Sequence, residues 1–187
     1  MNPSPCKTMM YRRPGSVVFI DDEYDYLEMI GLVMPEEWQV ELFIRPQACI
    51  EFFDEITQRW EDDLQSQQAI VDKWHQGAPL VPQLIEYWGQ DSYRYGLPQV
   101  LVIDYAMPAM NGLSLLERIG DWTGSCLMLS GRADEHIAVD AFNRGLLEQF
   151  IPKQTPDIAK HVQRSVQRFL DSPNSTRDHI WRATLTS

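Results

Sequence analysis

No stretch of the sequence reaches the roughly 18 uninterrupted apolar residues that a membrane-spanning helix needs, so no bilayer span is expected. Cysteine is scarce too. Cys6, Cys49 and Cys126 are odd in number and far apart, which leaves neither a disulfide framework nor a metal-like spacing. They read as the reduced thiols of a cytosolic protein. Positive charge is short: 16 Lys and Arg stand against 27 Asp and Glu, for a net charge of −11. That balance argues against nonspecific binding to nucleic acid or to an anionic membrane. Residues 1–15 are polar and rich in proline, without the apolar centre of a signal peptide, and read as a flexible lead-in. There is no internal repeat, no low-complexity block, no helix-turn-helix pattern near the carboxyl end and no enzyme signature. The expectation is a soluble cytoplasmic protein of one domain with an embellishment.

What the chain does contain is organised around Val100-Leu101-Val102-Ile103-Asp104, followed by Met107-Pro108 and Asn111-Gly112. Four apolar residues, three of them β-branched, predict a strand buried on both faces, as in a parallel sheet. Asp104 then falls at the carboxyl end of that strand, where open α/β sheets hold their ligands. A carboxylate at such a rim needs water, a metal or a cation beside it.

Similar runs recur along the chain. Ser16–Ile20 is a buried-strand run ending in Asp21-Asp22-Glu23. Tyr26, Leu27, Ile30, Val33 and Met34 then fall at helical spacing, stopped by Pro35. Trp38–Phe43 alternates like a short strand. Apolar residues from Phe53 through Ile56, Trp60, Leu64, Val71 and Trp74 step by threes and fours, predicting one helix over about 46–75. Gly77-Ala78-Pro79 breaks it, and a second, shorter helix follows from Leu80 through Trp88. Asp104 lies 82 positions beyond Asp22, whereas a helix, strand, helix and strand with short connections need about 45. The surplus, about 56–97, reads as an inserted helical hairpin. Its stripe fits packing within its own domain, and it also fits a homodimer or partner surface through Trp60 and Leu64.

Past Asn111-Gly112 come a helix closing at Gly120, a strand at Cys126–Leu129 ending in Ser130, and a helix from Asp134 to Arg144. That helix turns Ile137, Ala138, Ala141 and Phe142 inward and is capped by Gly145. A last strand over Leu147–Ile151 leads to Pro152-Lys153, and a terminal helix carries Ile158, Val162, Val166 and Phe169 on one face. Residues 172–187 read as a tail or linker, and 16–171 as the domain.

Alternating strands and helices specify a doubly wound, five-stranded parallel sheet. Its strand ends carry Asp21, Asp22, Asp104, Ser130 and Lys153. Crowded carboxylates raise each other's pKa unless a cation intervenes, and carboxylate oxygens with a backbone carbonyl and water suit Mg²⁺. Lys supplies a point charge suited to phosphate, and Ser can hydrogen-bond a phosphoryl oxygen. The set can stabilise a phosphoryl group moving onto Asp104 as nucleophile.

In these motifs, over about 15–55 and 97–171, the chain resembles the receiver domain of a two-component response regulator. The resemblance rests on Asp21-Asp22, on Ile103-Asp104 with Met107-Pro108 and Asn111-Gly112, on Leu129-Ser130-Gly131, and on Ile151-Pro152-Lys153. It implies a flavodoxin-like sheet of strand order 2-1-3-4-5. It implies that Asp104 accepts a phosphoryl group from a histidine kinase or phosphotransfer protein of a bacterial signalling system. Asp21, Asp22, Asp104 and the backbone carbonyl of Ala106 would hold Mg²⁺ or Mn²⁺. Lys153 would neutralise Asp104 and then the phosphate, while Ser130 and Phe150 would move as the switch. On this reading the chain is no enzyme beyond its own aspartyl phosphorylation and dephosphorylation. It acts by contact with a downstream protein or through an output domain outside this sequence. The chain departs from the family pattern in placing Pro152 before Lys153 and Gln154 after it, so a trans peptide is expected there. Two rivals are weighed beside this. A haloacid-dehalogenase-type phosphatase needs a second acid at position 106, which is Ala106. A phosphorylation-independent receiver-like scaffold would use the fold and the helical hairpin only to bind partners or dimerise.

Overall fold

The computed structural model describes residues 16–89, 98–120, 122, 124–131 and 140–171, apart from the side chains at 60, 63, 64 and 88. Strands β1 (Ser16–Ile20), β2 (Val40–Phe43), β3 (Pro98–Asp104), β4 (Ser125–Ser130) and β5 (Gln149–Pro152) pair in parallel in the order β2-β1-β3-β4-β5. This is the expected doubly wound sheet. Helices α1 (Tyr24–Val33), α2 (Pro46–His75), α3 (Leu80–Gly89), α4 (Gly112–Ile119) and a terminal α5 (Ile158–Asp171) connect and flank it.

The continuous apolar runs follow from coverage on both faces. Val18, Ile20, Leu101, Ile103 and Met128 turn to one side and pack with Cys49, Ile50 and Phe53 of α2 and Leu115, Leu116 and Ile119 of α4. Val17, Phe19, Val100, Val102, Leu127 and Leu129 turn to the other, against Leu27 and Ile30 of α1 and Val162, Val166 and Leu170 of α5. A side chain buried against helices above and below leaves no polar position along the strand. Phe53 sits at the centre of a ring cluster, with ring centroids 5.7 Å from Phe52 and 5.3 Å from Trp122.

The helical break falls where the sequence placed it. Gly77 takes φ +96, a backbone state that disfavours any residue with a Cβ, and the chain reverses into α3. Only the first half of α2 covers the sheet. Farther on, α2 packs on α3, and Gln67, Ile70 and Val71 of α2 are buried along with Leu84 of α3. Trp60 and Leu64, the positions proposed for a partner surface, belong to the side chains outside the description. Residues 90–97, the end of the expected insertion, lie outside the described residues as well.

Four details differ from the sequence expectation. Val33 is 45% exposed, because α1 turns Leu27, Ile30 and Met34 to the sheet and leaves Leu32 and Val33 on the outer side. Trp38 precedes β2: its N–H donates to Pro35 O (3.0 Å) in a turn that tucks the indole under α1. Leu147 is buried but lies two residues ahead of β5. Phe142 is 47% exposed while Ala141 is fully buried, so the small residue fills the core position of that helical turn. Ile137 and Ala138 lie outside the described residues. Gly145 closes the turn at φ +67 as expected, with its N–H donating to Phe142 O at 2.9 Å. Among the described residues no helix is long and apolar enough to cross a membrane.

Removing the Phe53 ring would leave a cavity between α2 and the sheet that its aromatic neighbours cannot refill. Phe53→Ala should cost about 3–5 kcal/mol of unfolding free energy. Urea titration followed by circular dichroism measures it, and a loss under about 1 kcal/mol would remove this ring from the centre of the core.

Candidate functional site

Strand register assembles the site. Ile20 pairs with Ile103 across β1 and β3, so the next residues, Asp21 and Asp104, end neighbouring strands on the same edge. Asp104 in turn pairs with Leu129, and Ser130 with Pro152, which brings the ends of β4 and β5 to that edge. The Lys153 N–H donates to Ser130 O (2.8 Å) and the Tyr105 N–H to Leu129 O (2.8 Å), extending the ladders one step past the strands. Asp21, Asp104 and Ser130 are all buried, whereas Asp22 is exposed.

The local turns are fixed by the side chains themselves. Asp21 Oδ1 accepts the Glu23 N–H at 3.0 Å, which starts α1 and aims the other Asp21 oxygen into the cluster. Asn111 Oδ1 accepts the Ser114 N–H at 2.8 Å and caps α4. Gly112 sits so close to β3 that a Cβ there would lie 2.6 Å from the backbone oxygen of Asp104. The Asn-Gly pair therefore does two jobs: Asn111 caps α4 and Gly112 lets it approach the acid.

Lys153 neutralises the buried acids. Its Nζ lies 2.6 Å from Asp21 Oδ2 and 3.2 Å from Asp104 Oδ1, and the side chain is largely buried. The ring of Tyr26, from α1, lies beneath the ammonium, with its centroid 4.7 Å from Nζ. Burial pushes the Asp21 carboxyl above its ordinary pKa, against the pull of Lys153 and the Glu23 N–H. Asp104 is also pushed up by burial, opposed by Lys153, with Asp22 raising it further and the Ala106 N–H lowering it. For Lys153, burial acts downward, but its hydrogen bonds and charge pairing with Asp21 and Asp104 outweigh it and hold the ammonium above its usual value.

Asp21, Asp22 and Asp104 each offer a carboxylate oxygen within 4.8 Å of the other two. A divalent ion with oxygens at about 2.1 Å needs them about 3–4 Å apart, a separation that small side-chain rotations supply. Two of the three carboxylates are buried with one ammonium between them, so the donor set is hard, anionic and short of positive charge. Those residues fit a dication. The Ala106 residue stands exposed in the loop after β3.

Every site residue singled out in the sequence except Phe150 lies at this edge of the sheet. Asp21, Asp22, Asp104 and Lys153 come together directly, Ser130 closes the neighbouring strand, and Phe150 is half-buried on β5 beside the core, paired in register with Met128. The peptides around Lys153 are trans as expected; no described residue has a cis bond. The Gln154 side chain, next to Lys153, donates to Gly131 O and ties the two loops together. Tyr26 was visible in the sequence only as part of the α1 stripe. It lies one turn beyond the acidic pair, a position that the stripe alone does not single out.

No family model and no curated protein matches the sequence. Among solved structures the chain is similar to that of the Legionella pneumophila response regulator LqsR, at 30% identity over 91% of this chain and a TM-score of 0.66. The chain spans about half, 48%, of that protein. It is also similar to the signal receiver domain of a putative LuxO repressor protein from Vibrio parahaemolyticus, at 16% identity and a TM-score of 0.57, covering 89% of this chain and 96% of that one. A BeF3-activated DrrB receiver domain matches at 13% identity and a TM-score of 0.52, covering 84% and 98%. At those last two identities the likeness is one of fold.

Because burial holds the Asp104 carboxyl above its ordinary pKa, its ionised form costs the folded state stability at about pH 7. Asp104→Asn, with Lys153 still paired to Asp21, should raise the unfolding free energy there, read from urea titration, by about 0.5–2 kcal/mol in chelator-treated protein. The gain should shrink as pH falls through the raised value toward the ordinary carboxylate range near about 4. Equal stability of the two proteins at neutral pH would contradict this account of the cluster.

Proposed function

We propose that this chain, whose fold is that of response-regulator receiver domains, is a phosphorylation-dependent signalling switch with Asp104 as its acceptor. The observation that carries the reading is the joint placement of Asp21, Asp22 and Asp104 with Lys153 at the carboxyl edge of the sheet. Lys153 holds Asp104 Oδ1, which leaves Oδ2 to attack phosphorus of a phosphohistidine on a histidine kinase or phosphotransfer protein. The new O–P bond forms as the donor P–N bond breaks, the electron pair leaving with the imidazole nitrogen, which takes up a proton. Mg²⁺ or Mn²⁺ held by Asp21, Asp22, Asp104 and the Ala106 carbonyl would neutralise charge on the transferring oxygens.

The residues of this chain then stabilise the product. Lys153 stays beside Asp104 and faces an added phosphoryl oxygen instead of a bare carboxylate. Ser130 ends β4 within the same edge, and its hydroxyl donates a hydrogen bond to the phosphoryl group. Phe150, half-buried on the next strand, takes up the space that Ser130 leaves, which carries the signal to the surface built from β4 and β5. Hydrolysis reverses the state: water adds to phosphorus, the Asp104 O–P bond breaks, and inorganic phosphate leaves. The chain's chemistry ends there, and output passes to a protein partner or to a further domain.

Incubation with acetyl phosphate and Mg²⁺ followed by intact mass measurement tests the reading. One phosphoryl adduct is expected on the native chain, none on Asp104→Asn and none with chelator. Lys153→Gln should slow adduct formation about 10²-fold, the scale for losing one preorganised charge partner. Absence of any adduct on the native chain, with acetyl phosphate and with phosphoramidate, would exclude the switch.

A further inference from the structure

Tyr26 has no part in the phosphoryl chemistry above, yet it is in contact with the residue on which that chemistry depends. It lies on the inner side of α1, half-buried beside the core that includes Leu27 and Ile30. Its hydroxyl is buried and makes no hydrogen bond among the described residues. The polar contact this side chain makes is through its face: the Lys153 ammonium stands 4.7 Å from the ring centroid. An aromatic face carries negative charge density and attracts an ammonium, more strongly as water is excluded, and only 13% of the Lys153 side chain is exposed.

The ammonium also stands where a cation would bind. Its two carboxylate contacts, Asp21 Oδ2 at 2.6 Å and Asp104 Oδ1 at 3.2 Å, belong to two of the three acids that could ligate a metal. A divalent ion taking Asp21 must pull that carboxylate away from Nζ. Whatever stabilises the ammonium against Asp21 therefore weakens the ion's hold on that acid, while Lys153 keeps its contact with Asp104.

We propose that Tyr26 is a positioning residue for Lys153, its ring face anchoring the ammonium inside the acid cluster and so setting the affinity of the site for a divalent cation. The proposal rests on the cation reading of the preceding section. The contact through which Tyr26 acts on the acid cluster is the one between its ring face and Lys153. Its ring matters and its hydroxyl does not.

Mn²⁺ binding to the full chain, followed by the electron paramagnetic resonance signal of free Mn²⁺, tests this without reference to phosphorylation. Tyr26→Leu removes the π face and should bind Mn²⁺ about three- to tenfold more tightly than the native chain. Tyr26→Phe keeps the face and should stay within about twofold of native. In a Lys153→Gln background, where there is no ammonium to anchor, Tyr26→Leu should change nothing. Thermal melting followed by circular dichroism monitors folding, and Tyr26→Met replaces the leucine variant if that one does not fold. Native affinity in the Tyr26→Leu protein would overturn the proposal, as would an effect of equal size in the Lys153→Gln background. If native chain and every variant, Lys153→Gln included, fail to bind Mn²⁺, the cation reading falls and this one with it.

Discussion

The Lys153 ammonium, held between Asp21 and Asp104 with both carboxylates buried, is the contact on which the rest of the structure depends. Two ionised acids on adjacent strand ends would repel and would each lack water. One cation placed between them makes the arrangement tolerable without making it comfortable. Burial still leaves both carboxyls above their ordinary pKa. A site of this kind is poised: it is folded and pre-formed, and its acids remain short of positive charge.

The sheet is what makes the poise possible. Parallel pairing of β1 with β3, of β3 with β4 and of β4 with β5 sets four strand ends at one edge in fixed register, so the acids meet without any flexible segment having to order. The turn chemistry then refines the positions. Asp21 spends one oxygen on the Glu23 N–H, which leaves one for the cluster. Gly112 lets α4 approach the Asp104 carbonyl more closely than any side chain would allow. These contacts are local, and they depend on the helices that cover both faces to hold the strands still.

Much of this was legible in the sequence because burial on two faces leaves a strong trace. Val17–Ile20 and Val100–Ile103 have no polar position, so the strands could be read and the acids, the serine and the lysine that end them placed at one edge, while the strand order came from the resemblance to receiver domains. Gly77 and Gly145 marked their breaks through their backbone freedom. The errors came where a choice between neighbouring residues is made by packing. Val33 and Phe142 are as apolar as the residues that won the inner positions, and only the angle at which each helix meets the sheet decides between them. Trp38 was taken into β2 by its alternation with Val40 and Leu42, although a turn from Pro35 sends it beneath α1. Tyr26 reads as helix stripe because a sequence does not show which turn of a helix overlooks a strand end.

Charge accounting carries the argument one step further. Asp21, Asp22 and Asp104 together bring three negative charges when ionised, and Lys153 returns one. Two remain uncompensated at a largely buried edge, which is the charge of a single divalent ion. Without such an ion the edge can lower its charge by protonating a carboxyl, and the raised values of Asp21 and Asp104 point in that direction. With it, the carboxylates stay ionised, and on the proposed reading Asp104 keeps the electron pair that attacks phosphorus. A phosphoryl group added to Asp104 then brings new negative charge to the same edge. Lys153 is the cation already in place to meet it. The proposed cation site and the proposed phosphoryl acceptor thus rest on the same shortage of positive charge.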